Sequence, residues 1–131
     1  ESEPEKIAEY FKKYSMKLFG IKLGSKGCFA TDFEKSLYIK CPTGMPVVDT
    51  TGAGDSFMGA LIYLLTHETD NIEELSVLDL ERIGDFCNAC AAASTMRRGS
   101  LLVMPTLSQI EHVLKTAPRI ETQFDKIHKT F

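Results

Sequence analysis

Apolar residues recur at helical spacing in the first part of the chain. Between Pro4 and Tyr14 they fall at every third or fourth position, at Ile7, Tyr10, Phe11 and Tyr14. This spacing predicts an amphipathic surface helix. Ser2, followed three residues later by Glu5, predicts a capping box at the start of that helix.

The next apolar runs are short and are separated by turn residues. Residues 17–23 end at Gly24, and residues 28–31 and 36–40 are separated by a polar stretch. Together they predict a strand, a glycine turn and a hairpin. Residues 45–48, Met-Pro-Val-Val, lie between two glycine-containing turns, and this pattern predicts a strand buried on both faces.

Three helical patterns follow. The first ends near His67 and carries one apolar stripe, which consists of Phe57, Ala60, Leu61, Leu64 and Leu65. The second is alanine-rich and covers residues 80–96. We expect cations in its last turn and a glycine C-cap, at Arg97, Arg98 and Gly99. Thr106 and Gln109 predict a capping box for the last helix. The alternation of strand and helix patterns predicts an α/β layer architecture.

Composition and charge restrict the class of protein. The chain has 131 residues, of which 44% are apolar and 25% charged, so it is one soluble domain or part of one. Its net charge is −3, which offers no basic surface for nucleic acid or for an acidic membrane. No apolar run reaches the length of a membrane span. We therefore expect neither a nucleic-acid nor a membrane partner.

The cysteine content and the N-terminus bear on location and completeness. Four cysteines are too few for a disulfide scaffold, so we expect a reducing cytoplasm. The chain opens with acidic residues and without Met, unlike a secretory signal. We expect it to begin inside a longer chain.

The candidate chemistry lies in residues 49–57, Asp-Thr-Thr-Gly-Ala-Gly-Asp-Ser-Phe. Glycines there let the backbone approach a ligand, and the free N–H groups of Ala53, Gly54 and Asp55 would lie at the positive end of a helix dipole, where phosphate binds. Beside a bound phosphate, the Asp55 carboxylate could accept a proton from an attacking hydroxyl. A bare Gly-x-Gly-Asp motif fits equally well a tight turn followed by a helix N-terminal acid.

The complete string resembles the C-terminal signature of the ribokinase-like (PfkB) carbohydrate kinase family. Its matching positions are Asp49, Thr50, Gly52, Ala53, Gly54, Asp55, Gly59 and Ala60. The resemblance implies a ribokinase-like three-layer α/β/α fold, with only the C-terminal portion present. It also implies that Asp55 is the catalytic base and that Gly52, Ala53 and Gly54 form an anion hole.

Further segments extend the resemblance from about residue 17 to residue 114. The strand and turn Leu-Gly-Ser-Lys-Gly and the alanine-rich helix are similar to the family's nucleotide-binding segments. They imply ATP contacts at Lys22, Gly24, Ser25, Gly27 and Asn88. The segment after that helix is similar to one that encloses a monovalent cation, and it implies a K⁺ site formed by Asp49, Thr51, Ser94, Arg97 and Gly99. Mg²⁺ is expected to accompany ATP.

The length of the family's members indicates how much of a kinase this chain would contain. Members are commonly more than twice as long, and their N-terminal half binds the sugar and carries a lid. The resemblance implies that residues 1–131 form a single partial domain of an ATP-dependent sugar kinase, similar to fructokinases and ribokinases and inactive alone. The alternative is a non-catalytic nucleotide-binding or interaction module that retains the fold. Because a parallel sheet cut at one side exposes an edge or a face, we expect self-association.

Other polar and sulfur-containing residues favour structural roles. Cys87 and Cys90 lie in a helix pattern without a second ligand pair, and Cys28 and Cys41 flank the hairpin, so all four are expected to be packed thiols. The histidines, His67, His112 and His128, are expected to be exposed. Asp79, Glu81 and Asp85 are expected to form a solvated helix face. Arg97 and Arg98 fit a helix C-terminus and a nucleotide contact equally well.

Overall fold

The computed structural model describes residues 3–71, 74–99, 104–120 and 129–130. Helix α1 covers Pro4–Phe11 and continues into a 3₁₀ turn, Lys12–Tyr14. Strands β1, β2 and β3 cover Phe19–Lys22, Cys28–Thr31 and Lys35–Ile39. Helices α2, α3 and α4 cover Ala53–His67, Val77–Ser94 and Leu107–Thr116, and the short strand β4 covers Lys129–Thr130.

The sheet has the order β1-β2-β3-β4, and each neighbouring pair is antiparallel. Ile21 lies opposite Phe29, which in turn lies opposite Tyr38. The expectation of a parallel sheet is therefore wrong for the part of the chain that the structure describes. Short turns join β1 to β2 and β2 to β3, and a connection of that length permits only antiparallel neighbours.

Gly27 makes the turn between β1 and β2 possible. Its φ is +107°, and the N–H of Leu23 donates to its carbonyl at 2.8 Å. A Cβ atom at this position would collide with the carbonyl oxygen of Ile39 on β3. The turn therefore requires glycine for backbone angle and for space.

Helices cover both faces of the sheet. On one face, Phe11 of α1 stacks on Phe19 with 5.2 Å between ring centroids. On the other face, Cys28 and Ile39 point at Gly84 of α3. The layers follow the order α1, sheet, α2 and α3, which agrees with the predicted three-layer α/β/α class.

Helix α3 lies at the centre of the main core. It contacts α2, α4, β2 and β3, and its buried positions include Ile83, Cys87 and Ala89. The small side chains of its alanine-rich part let the neighbouring helices approach closely. The buried Asn88 amide donates to the Ile39 carbonyl at 2.9 Å and so joins α3 to the end of β3.

The predicted strand at residues 45–48 is wrong. These residues form no strand, and Val47 and Val48 are 65% and 53% exposed. The N–H of Val48 donates to the Thr95 carbonyl at 2.7 Å, after the end of α3, instead of to a neighbouring strand. The composition fits a buried strand, but a strand forms only where another strand lies beside it.

Two predicted helix ends also differ from the structure. The N-cap of α1 is Glu3, with Pro4 in the first turn, so a capping box based on Ser2 is wrong. The C-cap of α3 is Thr95, and Gly99, with φ +105°, lies four residues further on. The capping box of Thr106 and Gln109 is confirmed. Ser2 and His128 lie outside the described residues.

Asp85 belongs to an ion pair instead of a solvated helix face. Its two carboxylate oxygens accept hydrogen bonds from Nε and Nη2 of Arg119, each at 2.9 Å. Arg119 also donates to the Ala117 carbonyl at 2.7 Å. This bidentate pair holds the segment after α4 against α3. The backbone of Arg119 also forms an isolated antiparallel β-bridge with Pro42.

Candidate anion-binding site

The turn before α2 presents a helix N-terminus to solvent. Gly52 is the N-cap, with a left-handed φ of +79°, and no side chain caps the helix. The first helical hydrogen bond runs from the Ser56 N–H to the Gly52 carbonyl, at 2.9 Å. The N–H groups of Gly54 and Asp55 precede that bond, and among the described residues neither donates to a backbone carbonyl, so both are available to an anion.

One predicted donor of this site is used inside the turn. The N–H of Ala53 donates to the Thr50 carbonyl at 3.2 Å. The expectation that this N–H is free is therefore wrong in this structure. The turn closes on itself at Thr50, and within the part of the chain that the structure describes the next two amides have no backbone partner.

Lys22 brings a positive charge to the same turn. Its Nζ lies 3.5 Å from the Gly54 carbonyl oxygen, although the two residues are 32 positions apart. Lys22 is exposed at the end of β1, so its ammonium group can move between this carbonyl and a ligand. The fold thus joins a lysine to two free backbone N–H groups, a combination that attracts phosphate.

Asp55 lies in the first turn of α2 with its side chain exposed. Within the described ranges, its carboxylate accepts no hydrogen bond and forms no ion pair. It therefore differs from a capping acid, which is held by the backbone that it caps. A free carboxylate beside a phosphate-binding turn can accept a proton from a substrate hydroxyl.

Asp49 holds two loops together. One carboxylate oxygen accepts the N–H of Thr51 at 2.9 Å, and the other accepts the N–H of Gly99 at 3.0 Å. The hydrogen bonds from Thr51 and Gly99, with the charge of Arg98, lower the pKa of Asp49 to about 2. The predicted cation-binding residues Asp49, Thr51 and Gly99 are thus adjacent, although the last is distant in sequence.

The remaining predicted site residues differ in their exposure to solvent. Asn88 is buried, and its amide is bonded to β3 as described above. Ser94 is also buried, and its hydroxyl donates to the Ala91 carbonyl at 2.7 Å. Gly24, Ser25 and Arg97 are exposed, and Gly27 is buried in the turn between β1 and β2. The structure therefore presents the side chains of Ser25 and Arg97 to solvent, but not those of Asn88 and Ser94.

The cysteines form no disulfide and are packed as expected. Cys28, Cys87 and Cys90 are buried, and Cys41 is half-buried. Burial raises the pKa of Cys28 and of Cys87 to about 12. Among the residues that the structure describes, no group of three His, Cys, Asp or Glu side chains is placed to hold a metal ion.

Sequence reasoning did not find the Thr95 carbonyl, which accepts the N–H groups of Val48 and Asp49. A backbone carbonyl leaves no signal in the sequence, so only the fold could show this contact.

Among the described helices, none has the length and apolar character needed to cross a membrane.

Comparison with known proteins gives consistent matches. The profile of the pfkB family carbohydrate kinases matches residues 1–107. The probable fructokinase-4 of Arabidopsis thaliana is 35% identical over 103 residues, which are 77% of this chain and 30% of that protein. Fructokinase-1 of Zea mays is 34% identical over 106 residues, 79% of this chain and 31% of that protein. The chain thus spans less than a third of the length of these relatives.

Solved structures share the fold. A fructokinase from Vibrio cholerae O395, bound to fructose, ADP and a calcium ion, matches with a TM-score of 0.74 at 22% identity, over 86% of this chain and 35% of that one. A ribokinase from Thermotoga maritima matches with a TM-score of 0.68 at 31% identity, over 85% of this chain and 34% of that one. Both matches place this chain as one section of a larger fold.

Proposed function

This chain belongs to the PfkB family of carbohydrate kinases, and from that membership we propose that it forms the phosphate-binding section of an ATP-dependent sugar kinase of the fructokinase or ribokinase type. The observation that carries the proposal is the contact between Lys22 and Gly54 at the open N-terminus of α2. A charged lysine and unpaired backbone N–H groups, brought together by distant parts of the chain, suit the phosphates of a nucleotide.

In this proposal the chain's own residues act mainly by position and charge. Residues 52–54 form the turn at the phosphate that is transferred, with the N–H groups of Gly54 and Asp55 as donors, and Lys22 balances the negative charge that develops there. The nucleotide would be contacted by the end of β1 and the turn after it, at Lys22, Gly24, Ser25 and Gly27. Asn88 would support these contacts from the interior, because its amide holds the end of β3. Mg²⁺, bound to the nucleotide phosphates, would neutralise part of their charge.

Asp55 is proposed as the general base. Its carboxylate would accept the proton of the sugar hydroxyl as the hydroxyl oxygen attacks the γ-phosphorus. Its exposed carboxylate supports this role, because no partner among the described residues competes for the proton.

We further propose a monovalent cation, K⁺, beside this turn, with Asp49 and Thr51 on one side and Ser94, Arg97 and Gly99 in the segment on the other. Carboxylate and carbonyl oxygens suit such a cation, and the Asp49–Gly99 hydrogen bond already joins the two loops. Bound K⁺ would stiffen the anion-binding turn. Thermal unfolding in KCl should then occur at a higher temperature than in tetramethylammonium chloride at equal ionic strength, and Asp49→Asn should remove the difference. Equal temperatures for the wild type would contradict the site.

The share of each relative that this chain covers bears on its domain organisation. Residues 1–131 would be a single partial domain, and sugar binding would depend on the section of the kinase fold that this chain does not span. A non-catalytic nucleotide-binding module with the same fold is the second candidate. None of the described contacts of the site favours it over the kinase.

ATP binding by the chain itself tests the proposal. Titration calorimetry with Mg-ATP should detect binding, and Lys22→Ala should weaken it about tenfold because a charge-assisted contact to phosphate is lost. Lys115→Ala, at an exposed position on α4, is the matched control and should change the affinity less than twofold. No binding by the wild type, or equal losses in both variants, would overturn the proposed site.

A further inference from the structure

One side-chain contact joins the first turn of α2 to the segment before α4. The hydroxyl of Ser56 donates to the sulfur of Met104, and the two atoms lie 3.2 Å apart although the residues are 48 positions apart. Ser56 is 3% exposed, whereas Met104 is 43% exposed. A buried hydroxyl is thus satisfied by a sulfur atom on a side chain that solvent reaches.

This contact lies beside the candidate anion site. Ser56 directly follows Asp55, and its N–H donates to the Gly52 carbonyl at 2.9 Å, which is the first helical hydrogen bond of α2. Met104 lies two residues before Thr106, the N-cap of α4. A chemical change at the Met104 sulfur would therefore affect both the turn before α2 and the start of α4.

The thioether of methionine is open to oxidation by peroxide. In this reaction the sulfur gains one oxygen atom and the O–O bond of hydrogen peroxide breaks. The second oxygen leaves with both protons as water, so the sulfur is oxidised, the peroxide is reduced and no other reactant is needed. The product, methionine sulfoxide, is polar and chiral, and it is reduced again by methionine sulfoxide reductases.

The contact between Ser56 and Met104 has no room for the new oxygen atom. An O–H···O hydrogen bond alone needs about 2.7 Å between its oxygens. The 3.2 Å between Oγ and Sδ is then too short to hold an S–O bond as well. If the oxygen points at Ser56, the two segments must move apart, and if it points to solvent, the hydroxyl faces a sulfur of lower electron density. Either result removes the present partner of a buried hydroxyl, which destabilises its surroundings.

The cysteines compete poorly for the same oxidant. Thiols react with peroxide as thiolates. Burial raises the pKa of Cys28 and of Cys87 to about 12, and it also raises the pKa of Cys41 and of Cys90. At neutral pH these groups stay protonated, whereas a thioether has no proton to lose. The partly exposed methionines are therefore the residues that peroxide oxidises first.

We propose that Met104 is a reversible oxidation site, at which peroxide forms methionine sulfoxide, breaks the contact with Ser56 and loosens the first turn of α2. The expected consequence is weaker binding of phosphate at residues 52–55, and this consequence rests on the proposed function. The loosening of α2 itself rests only on the contact between Ser56 and Met104.

Hydrogen exchange tests the proposal without any ligand. The chain is treated with hydrogen peroxide and then with dithiothreitol, which reverses disulfides and sulfenic acids but not methionine sulfoxide. Mass spectrometry of peptides measures the oxidised fraction of each methionine and the deuterium uptake of residues 56–60, the first bonded amides of α2. We expect Met104 to be oxidised and these amides to exchange at least about fivefold faster. Reduction by methionine sulfoxide reductases should restore the original rate.

Two leucine variants assign the effect to one methionine. Met104→Leu keeps the size of the side chain but cannot be oxidised. Because leucine offers no acceptor to Ser56, exchange should already be faster in the untreated variant, and peroxide should not raise it further. Met58→Leu is the matched control, because Met58 also lies on α2 and is 40% exposed, while its sulfur accepts no hydrogen bond within the described ranges. It should respond to peroxide as the wild type does.

Titration calorimetry with Mg-ATP on the same samples measures the consequence for the anion site. Oxidised wild type should bind at least about fivefold more weakly than untreated wild type. If the untreated chain binds no ATP, the proposed function fails, while the exchange rates still decide the proposal on Met104.

Any of four results would overturn the oxidation site. Met104 stays reduced while Met58 and Met96 are oxidised, or the start of α2 exchanges at the same rate before and after oxidation of Met104. The third is that peroxide accelerates exchange in Met104→Leu as much as in the wild type. The fourth is that enzymatic reduction of the sulfoxide leaves the exchange rate raised.

Discussion

Asp55 and Asp79 occupy equivalent places in two helices but differ in their partners. Both lie in a first turn. The Asp79 carboxylate accepts the N–H and the hydroxyl of Ser76, each at 2.9 Å. Asp55 has no such partner within the described part of the chain. The difference separates a residue that stabilises its helix from one that is available for chemistry.

Removing the charge of Asp55 should therefore affect turnover and not folding. In a complete kinase that carries residues 17–116 of this chain in place of the matching segment, Asp55→Asn should lower kcat by about 10² or more, the contribution of a general base. The affinity for ATP should change only a few-fold. Steady-state kinetics measures both values. Asp70→Asn, at an exposed acid in the loop after α2, serves as the control, and a near-normal kcat for Asp55→Asn would reject the proposed role.

At the scale of the elements, replacing two helical glycines by alanine should change the stability of the fold in opposite directions. A methyl group at Gly84 would collide with Cδ1 of Ile39 and approach Cys28 Sγ at 3.2 Å, so Gly84→Ala should destabilise the chain by about 1–3 kcal/mol. Gly59 in α2 has open space around it, so Gly59→Ala should stabilise by about 1 kcal/mol through helix propensity. Urea unfolding compares the two variants. Equal effects would show that the contact between α3 and β3 is looser than described.

The cap of α3 predicts a dependence of stability on pH. Hydrogen bonds from Ser76 lower the pKa of Asp79 in the folded chain. The carboxylate therefore stabilises the fold above its unfolded pKa of about 4, and this contribution is lost as the pH falls through the lower folded pKa. Asp79→Asn should reduce stability at pH 7 and flatten the decline between pH 5 and pH 2.5, measured by urea unfolding. Glu81→Gln on the same helix should leave the decline unchanged, and an unaltered decline in Asp79→Asn would contradict the assignment.

Local pattern predicted most elements but not their neighbours. The periodicity of α2 and the short apolar runs of β2 and β3 are properties of adjacent residues, and the structure confirms the helix and the two strands. Residues 45–48 have the composition of a buried strand, but whether they pair depends on what lies beside them. The Asp85–Arg119 pair and the Lys22–Gly54 contact join distant positions, so spacing could not predict them. The motif at residues 49–55 was found because its residues are contiguous.

The whole molecule is expected to bind nucleotide but not to turn over sugar alone. Phosphoryl transfer requires the acceptor hydroxyl to be held within about 3–3.5 Å of the phosphorus. The described site offers the proposed phosphate donors and the proposed base, while sugar binding is proposed to depend on the section that this chain does not span. A coupled assay of ADP release with fructose or ribose should give no signal above background. Turnover by the purified chain would show that it holds an acceptor by itself.

Gly27 affects how sequence variation in this family should be interpreted. Its left-handed backbone and the Ile39 carbonyl beside it exclude all other residues, whether or not a nucleotide binds nearby. Gly24, with φ +60° and no atom near its missing Cβ, could be replaced by Asn at modest cost. Among homologues, glycine should therefore persist at position 27 even in lineages that have lost kinase activity, while position 24 should drift once selection for nucleotide binding is relaxed. Variation at position 24 would therefore indicate the loss of function, whereas an invariant glycine at position 27 would not indicate that function is retained.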